Sequence, residues 1–406
     1  MKYWELKKLL RDAGDAKICI FGTSIPGCTW VYDILKAMGK EADFYCDNFK
    51  EPGSIIRDGK QTIDLEKLYS LKENVFVFIA ATLRNQKIIR KQLEEHGILH
   101  ILGLDDLFLQ TFIEDLLIQD NQNLNETFKC ILDDKEYLTR QLEYYMGYHP
   151  DLKCPKTFNE KLQILKFSER EPKYCQMVDK FEAKKYIADK IGEEYTIPTF
   201  GVYNCFDEID FDILPQQFVL KCTHDTGNIV LCENKEKFNF QHAREILEEG
   251  LKRNHYWIAR EWVYKNIKPR IIAEKYLKDE QDGELRDYKF FCFNGKAEIL
   301  LIAQGRMNDK KKTTTDFFNM KQEHLDMRSG HANAPIPPHM PKNYSKMKEI
   351  AEVLSAEIPH LRVDFYEVNG KIYLGELTFF HQGGLVPIEP YEKDLELGKL
   401  IHLETC

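Results

Sequence analysis

The stretch RVDFYEVNGKIYLGELTFF, Arg362 to Phe380, constrains the fold more than any other part of the chain. Two runs rich in β-branched and aromatic residues flank Asn369-Gly370, the dipeptide that most strongly turns one strand back on another. An antiparallel hairpin is expected there. By the geometry of such a turn, paired positions sum to about 739, which sets Asp364 opposite Leu374 or Gly375 with Glu376 close by. The hairpin also carries Arg362, Asp364, Glu376 and Thr378, none of which a purely structural hairpin needs. Two acids side by side on an exposed face repel unless a cation lies between them.

With 406 residues the chain exceeds one ordinary core, so two or three domains are expected. A hydrophobic content of 43% and an aromatic content of 12% mark globular material rather than disorder. The net charge of −9 supplies no field that would draw the chain to nucleic acid or to an anionic membrane. Lys310-Lys311-Lys312 is a local basic cluster within that acidic total. No apolar run is long enough for a transmembrane helix, and MKYWELKKLLRDAGD lacks the apolar core of a signal peptide. The 11 cysteines are scattered, none in a CxxC pair or at zinc spacing, and read as small core residues of a protein in a reducing cytoplasm.

The first hundred or so residues alternate strand and helix: KICIF, a helix from CTWVYDILKAMGK, DFYCD, VFVFIAA, a helix from NQKIIRKQLEEHG, then HILGL. Such alternation predicts a small doubly wound α/β domain over 1–112, Rossmann-like in kind. The turn Gly22 to Gly27 lies where such a fold binds phosphate, but GTSIPG is not GxGxxG and Pro26 removes an amide donor. It reads either as a nucleotide or nucleotide-sugar turn or as part of a domain kept for docking. Helical spacing continues through a linker at 113–150, and Thr157 with Glu160 forms a capping box at the next helix. From 195 strands return in α+β order: PTFGVY, QFVLKC, NIVLC, RIIAEKYL, DYKFFCFNG, AEILLIA and the hairpin.

Charged residues recur along this second half. Asp179-Lys180 opens the helix DKFEAKKYIADKIG, FVLKC delivers Lys221 to a polar turn, RIIAEKYL carries Glu274 and Lys275, and DYKFFCFNG sets Asp287 and Lys289 on one strand face. Taken in order with REWVYKNIKPRIIAEKYL and the hairpin, these segments resemble the ATP-grasp superfamily over residues 135–390. The closest likeness is to its TupA-like branch, linked to capsule and teichuronopeptide biosynthesis. The resemblance implies an ATP-grasp fold of two α+β subdomains over 151–406, with a lid at about 196–275. ATP and Mg2+ are the implied cofactors. Lys180 and Lys221 would meet the α- and β-phosphates, and Glu274, Lys275, Tyr276 and Leu277 would form the adenine hinge. The turn residues His224, Thr226, Gly227 and Asn228 would cover the phosphates, with Lys289 at the γ-phosphate. Arg362 would stabilise the phosphoryl group, and Asp364 and Glu376 would hold magnesium. Thr378 stands where the family carries an amide oxygen, and Asp287 and His381 are candidate substrate contacts. The physical chemistry agrees, since magnesium takes hard oxygen ligands and phosphoryl transfer needs cations to offset developing charge.

The implied reaction is carbon–nitrogen ligation: a carboxylate is phosphorylated by ATP and an amine displaces the phosphate. The implied partners are a small-molecule or glycan carboxylate acceptor, such as a uronic acid, and an amino acid or small amine. Contact with other polysaccharide-biosynthesis enzymes is compatible with this reading; nucleic acid and membrane insertion are not expected. The segment 305–328, lysine-rich with aromatics, reads either as a flexible region binding an anionic acceptor or as an ordinary loop. Two rival functions remain at this stage. A glycosyltransferase would use a sugar nucleotide and the DFD at 210–212, and a non-catalytic nucleotide-binding assembly protein would have a decayed ligase core.

Overall fold

The apolar runs KICIF and VFVFIA form neighbouring parallel strands because both are buried along nearly their whole length, which only a sheet covered on both faces permits. The computed structural model describes residues 1–23, 26–57, 59–81, 83–168, 170–279, 285–305 and 313–403. Ser24 and Ile25 of the glycine turn and the Lys310–Lys312 cluster lie outside the described residues. Two compact units are present, Met1–Tyr144 and Tyr145–Cys406.

In the first unit, β1 (Lys17–Phe21), β2 (Phe44–Cys46), β3 (Ile55–Arg57), β4 (Lys60–Ile63), β5 (Val75–Ala80) and β6 (His100–Leu104) make one sheet in the order β3-β4-β2-β1-β5-β6. All neighbours are parallel except β3, which runs against β4. The parallel strands therefore follow the doubly wound order, which changes direction between β1 and β5. The β3–β4 ribbon is an addition that the sequence pattern does not announce. Helices α1 (Tyr3–Asp12), α2 (Pro26–Ala37), α3 (Leu65–Leu71), α4 (Leu83–Glu95), α5 (Asp106–Gln119), α6 (Gln122–Thr127) and α7 (Lys129–Leu132) complete the unit, and α8 (Asp134–Met146) closes it.

At the switch point Gly22 has φ +104, and a Cβ there would lie 2.4 Å from the Ala80 carbonyl oxygen, so the turn requires glycine. Asp47, at the end of β2, accepts from Thr23 N and Thr23 Oγ1, both at 2.7 Å, and from Phe49 N at 2.9 Å. The acid that a dinucleotide fold turns toward a ribose here ties the loop to itself.

The second unit begins with α9 (Phe158–Leu165), α10 (Pro172–Val178) and α11 (Glu182–Ile191). The Thr157/Glu160 capping box forms at α9: Glu160 N donates to Thr157 Oγ1, and Thr157 N to Glu160 Oε2, each at 3.1 Å. A four-stranded antiparallel sheet follows, in the order β7 (Thr199–Tyr203), β10 (Ile271–Lys275), β8 (Phe218–Cys222), β9 (Ile229–Cys232). Its apolar core is completed by α12 (Phe240–Leu251), with α13 (Tyr256–Ala259) after it.

The larger antiparallel sheet runs β14 (His324–Leu325), β13 (Thr314–Asn319), β12 (Lys296–Gln304), β11 (Asp287–Phe293), β16 (His360–Val368), β17 (Lys371–Thr378). Helix α14 (Tyr344–Leu354) packs on it through Tyr344, Met347, Ile350 and Leu354. A two-stranded ribbon of β15 (Arg328–Ser329) and β18 (Ile388–Glu389) and helix α15 (Tyr391–Leu400) complete the unit.

The segment 305–328 is not one flexible region. Residues 306–312 lie outside the described residues, but Thr314–Asn319 is an integral strand whose Phe317 and Phe318 enter the core. Two adjacent aromatics behind a lysine-rich run mask the strand in the sequence, although both bury readily in a sheet with covered faces.

Candidate active site

The hairpin turns at Asn369 and Gly370, both left-handed at φ 51 and 77. Pairing starts at Val368 with Lys371 and reaches Phe365 with Leu374 in the register expected from the turn. There a β-bulge intervenes. Gly375 is passed over, and Asp364 pairs with Glu376 and Arg362 with Thr378. The expected pairing of Asp364 with Leu374 or Gly375 is therefore corrected by one residue. The physical cause sits on the neighbouring strand: a Cβ at Gly375 would lie 2.9 Å from the Tyr366 ring, so only glycine lets that ring cover the bulge. The consequence is chemical, because directly paired residues share a sheet face. The bulge thus brings the two carboxylates onto one face.

On the other side of β16, Lys289 of β11 pairs with Asp364. Its Nζ donates to Asp364 Oδ2 and, at 3.2 Å, to Asp287 Oδ1. Arg362 reaches over the same group. Nε donates to Asp364 Oδ1 at 2.7 Å, and Nη2 to Asp364 Oδ2 at 2.8 Å, Glu376 Oε1 at 2.6 Å and Thr378 Oγ1 at 3.1 Å. Nη1 faces His381 Nδ1 at 2.8 Å. Asp287, Lys289, Arg362, Asp364 and His381 are all buried, whereas the Glu376 side chain is 38% exposed and is the open edge of the cluster.

Burial opposes the Arg362 charge, but Asp364 and Glu376 outweigh it and hold the guanidinium above its ordinary pKa. Burial also pushes the Asp364 carboxyl up, and there it wins over Arg362 and Lys289. At Glu376, only partly buried, the desolvation is overcome by Arg362, Lys289 and Lys180, which hold that carboxyl well below the usual range. Burial, then the Arg362 and Lys289 charges, push His381 far down, so its imidazole is neutral. Because Nδ1 accepts from Arg362, the proton resides on Nε2, which is buried without a partner.

A second cluster lies on the four-stranded sheet. The registers set Lys221, Val219, Ile229, Leu231, Ile272 and Glu274 on one face. Glu274, 3% exposed, takes Lys221 Nζ on Oε2 and Lys184 Nζ on Oε1, each at 2.6 Å. Burial would raise its pKa, but the two lysines outweigh it and lower it. The sequence signals Lys184 only by its position four residues beyond Lys180. Next to Glu274, Lys275 N donates to Pro198 O at 2.9 Å, Tyr276 Oη donates to Glu233 at 3.0 Å, and Leu277 packs with Ile197 and Val368.

Lys180 enters from the start of α11. Asp179 Oδ1 caps that helix through Phe181 N at 2.8 Å, while Oδ2 receives Thr223 Oγ1 at 3.2 Å and Arg270 Nη2 at 3.1 Å. Lys180 N then donates to Thr223 O at 3.0 Å, and its Nζ to the Asp225 carbonyl. Arg270 and Asp225 are thus site-building residues that sequence reasoning passed over. In the turn itself, Thr226 and Gly227 are exposed, Gly227 at φ 95, and Asn228 donates to Asp225. His224 is 2% exposed with Nε2 on the Arg253 carbonyl at 3.0 Å, a partner within the fold.

The two clusters meet. Lys180, Lys184, Glu274, Gly375 and Glu376 line one cavity of about 20 Å³. A larger cavity of about 940 Å³, beside Tyr148, Arg328 and Tyr391, contains none of these groups, so charge and not volume locates the site. The DFD residues Asp210 and Asp212 lie apart in an exposed turn, where Asp212 N donates to Asp210 Oδ1 at 3.0 Å.

Residues 160–402 match the model of the TupA-like ATP-grasp family. The chain belongs to that family. As a TupA-like ATP-grasp protein it joins a Rossmann-like unit to an ATP-grasp fold, whose two α+β halves are the four- and six-stranded sheets with their helices. It is an ATP-grasp enzyme. No curated protein matches the sequence.

Solved structures with some likeness include the D-alanine–D-alanine ligase of Helicobacter pylori, at 16% identity and TM-score 0.31, covering 56% of this chain and 61% of that one. The D-alanine–D-alanine ligase of Bacillus anthracis complexed with ATP shows 12% identity and TM-score 0.32, covering 95% of both chains. The ATP-grasp ligase PsnB with a precursor variant, Mg and ADP shows 11% identity and TM-score 0.32, covering 90% of both. At these TM-scores the likenesses carry no weight for this chain's chemistry.

The donor chemistry of this cluster is compatible with a magnesium ion. Asp364, Glu376 and Thr378 offer hard oxygens on one face, with Glu376 open to solvent. Among the described residues no three carboxylate, imidazole or thiol groups gather as a metal cage, so phosphate and water would supply the remaining ligands. Among those residues, too, no helix is long and apolar enough to cross a membrane.

Proposed function

We propose that the protein is an ATP-dependent carboxylate–amine ligase. The observation that carries this reading is the bulged pairing of Asp364 with Glu376 under Arg362 and Lys289, beside a cavity lined by Lys180 and Lys184. Four cations around a site with two facing acids suit a magnesium-bound polyphosphate.

In this reading the four-stranded half, about residues 196–275, is the lid of a catalytic region over 151–406, after a Rossmann-like region over 1–112 and a helical linker at 113–150. A cavity of about 20 Å³ does not admit a nucleotide, so binding parts the Lys184–Glu274–Lys221 contacts. Ile229, Leu231 and Val219 offer the base an apolar platform, and Glu274, Lys275, Tyr276 and Leu277 lie at its edge. Lys180 and Lys221 hold the α- and β-phosphates, with His224, Thr226, Gly227 and Asn228 in the turn that covers them. Lys289 and Arg362 draw charge from the γ-phosphate as the substrate carboxylate oxygen attacks phosphorus and ADP leaves. The amine nitrogen then attacks the acyl carbon, phosphate departs, and the amine proton passes to solvent. Arg362 stabilises the oxygens of that acyl phosphate, and Asp287 and His381 are assigned to the substrate as acceptor and donor. Magnesium, when bound at Asp364, Glu376 and Thr378, supplies shielding of the phosphate charge.

The family's biosynthetic setting supports a uronic acid of a capsular or teichuronic-type polysaccharide as the carboxylate, and an amino acid or small amine as the nucleophile. An ADP-release screen with Mg·ATP, pairing uronic acids with amino acids, tests the substrates. Release that requires one acid and one amine together supports the reading; release indifferent to every pair refutes the substrate assignment.

A further inference from the structure

Behind the hairpin lies a lysine that the chemistry above does not use. Lys166 follows the last turn of α9 and is 1% exposed. An ammonium in that position is tolerated only when its donors are met. Its Nζ donates to Gln163 Oε1 at 2.8 Å, Ala259 O at 2.7 Å and Gly383 O at 2.7 Å, and lies 5.7 Å from the Phe380 ring centre. Gln163, fully buried one turn earlier on the same helix, donates from Nε2 to Gly384 O at 2.9 Å and Gly383 O at 3.3 Å. One side chain of α9 and one from its C-terminal cap therefore converge on one short backbone arch.

That arch has need of them. Gln382, Gly383 and Gly384 are left-handed in succession, at φ 50, 64 and 63. Gln382 O still accepts from Leu385 N at 3.2 Å, but carbonyls in such a run leave the regular ladders, and buried ones require donors from side chains. The arch is also tightly enclosed: a Cβ at Gly384 would lie 2.4 Å from Gln163 Nε2, and one at Gly383 3.0 Å from Ala259 Cβ. Immediately before it comes His381, whose Nδ1 receives Arg362 Nη1 at 2.8 Å and whose ring meets Phe291 edge-on.

We propose that Lys166 and Gln163 are positioning residues of the active site, pinning the 382–384 arch so that His381 backs Arg362 and fixes its guanidinium over Asp364, Glu376 and Thr378. The inference rests on the ligase reading for the role of Arg362 and adds a pair that touches no substrate. A lysine suits this place because its three donors meet three oxygens at once, and methionine has no donor to offer them. If the pair served only to glue α9 to the arch, its loss would lower stability and weaken all nucleotides alike. If it positions Arg362, the loss falls on ligands that carry a γ-phosphate.

The test uses the full chain as wild type, Lys166→Met and Gln163→Met, titrated with a magnesium-bound non-hydrolysable ATP analogue and with Mg·ADP, alongside thermal melts. The expected result is a tenfold or greater fall in the ratio of analogue to ADP affinity in both variants, with ADP affinity within about twofold of wild type. Gln163→Met, which keeps Lys166 Nζ on the Ala259 and Gly383 carbonyls, carries the test if Lys166→Met does not fold. Variants that melt lower yet keep the wild-type ratio overturn the inference alone. A wild type that binds neither nucleotide overturns the ligase reading and this inference together.

Discussion

Two clusters of buried charge border one narrow cavity, and they are unbalanced in opposite directions. Around Glu274 a single carboxylate answers Lys184 and Lys221, with Lys180 lining the same space. Around Asp364, Arg362 and Lys289 face Asp364, Glu376 and Asp287. Cations exceed acids in the first cluster and acids exceed cations in the second. A surplus of lysine invites an anion, and a surplus of carboxylate beside an open Glu376 invites a cation. A magnesium-bound polyphosphate brings both signs in one ligand. The difference teaches that neither cluster is a simple salt bridge; each is closed only in part by the other residues of the fold.

The largest effect is expected where the second cluster is broken. Asp364→Ala leaves Arg362 and Lys289 without their shared acid in a buried setting, which costs roughly 3–5 kcal/mol of stability. The variant is also expected to lose detectable ATP turnover; urea unfolding and ADP release measure the two effects separately. Arg362→Met removes the shared partner of Asp364, Glu376, Thr378 and His381, and turnover is expected to fall by about 100-fold or more.

Breaking the first cluster is milder and depends on pH. Glu274→Gln removes the charge that holds Lys184 and Lys221, at a cost of about 2 kcal/mol at neutral pH. Because the folded pKa of Glu274 is lowered, its stabilisation is fully present above the unfolded value of about 4.3 and disappears as pH falls through the folded one. The stability gap between wild type and Glu274→Gln is expected to be flat from about pH 6 to pH 8 and to shrink below about pH 4. A gap that widens in acid contradicts the pairing.

Smaller effects probe how each cluster is held. Gly375→Ala, with its Cβ 2.9 Å from the Tyr366 ring, is expected to lose about 1–2 kcal/mol and to weaken Mg·ATP binding, because the register of Glu376 depends on the bulge. Unchanged ATP affinity in a destabilised Gly375→Ala separates the bulge from the site. Arg270→Met removes a partner of Asp179 and is expected to cost about 1 kcal/mol, with a few-fold loss of nucleotide affinity through Lys180.

Much of this fold is legible in the sequence because its strands are short apolar runs with clear punctuation. KICIF, VFVFIA and HILGL occur where their pattern sets them, and Asn369-Gly370 turns the hairpin. What the sequence hides is set by contacts between distant residues. The slip at Gly375 depends on where the Tyr366 ring packs, and no local propensity encodes it. Lys184 meets Glu274 only after the sheet and α11 have formed, and Lys166 resembles any polar residue at a helix end until the left-handed arch closes over it. Strand β13 lies behind a lysine-rich run that reads as loop. The order of the charged motifs was readable along the chain; which acid meets which cation was not.

The most direct test is a crystal structure of the full chain with Mg2+ and a non-hydrolysable ATP analogue. The account predicts the base against Ile229 and Leu231, the phosphates on Lys180, Lys221 and Lys289, and magnesium touching Glu376. Nucleotide bound instead at the Gly22 turn of the first unit, with Arg362 and Asp364 still locked together and no phosphate near them, contradicts it.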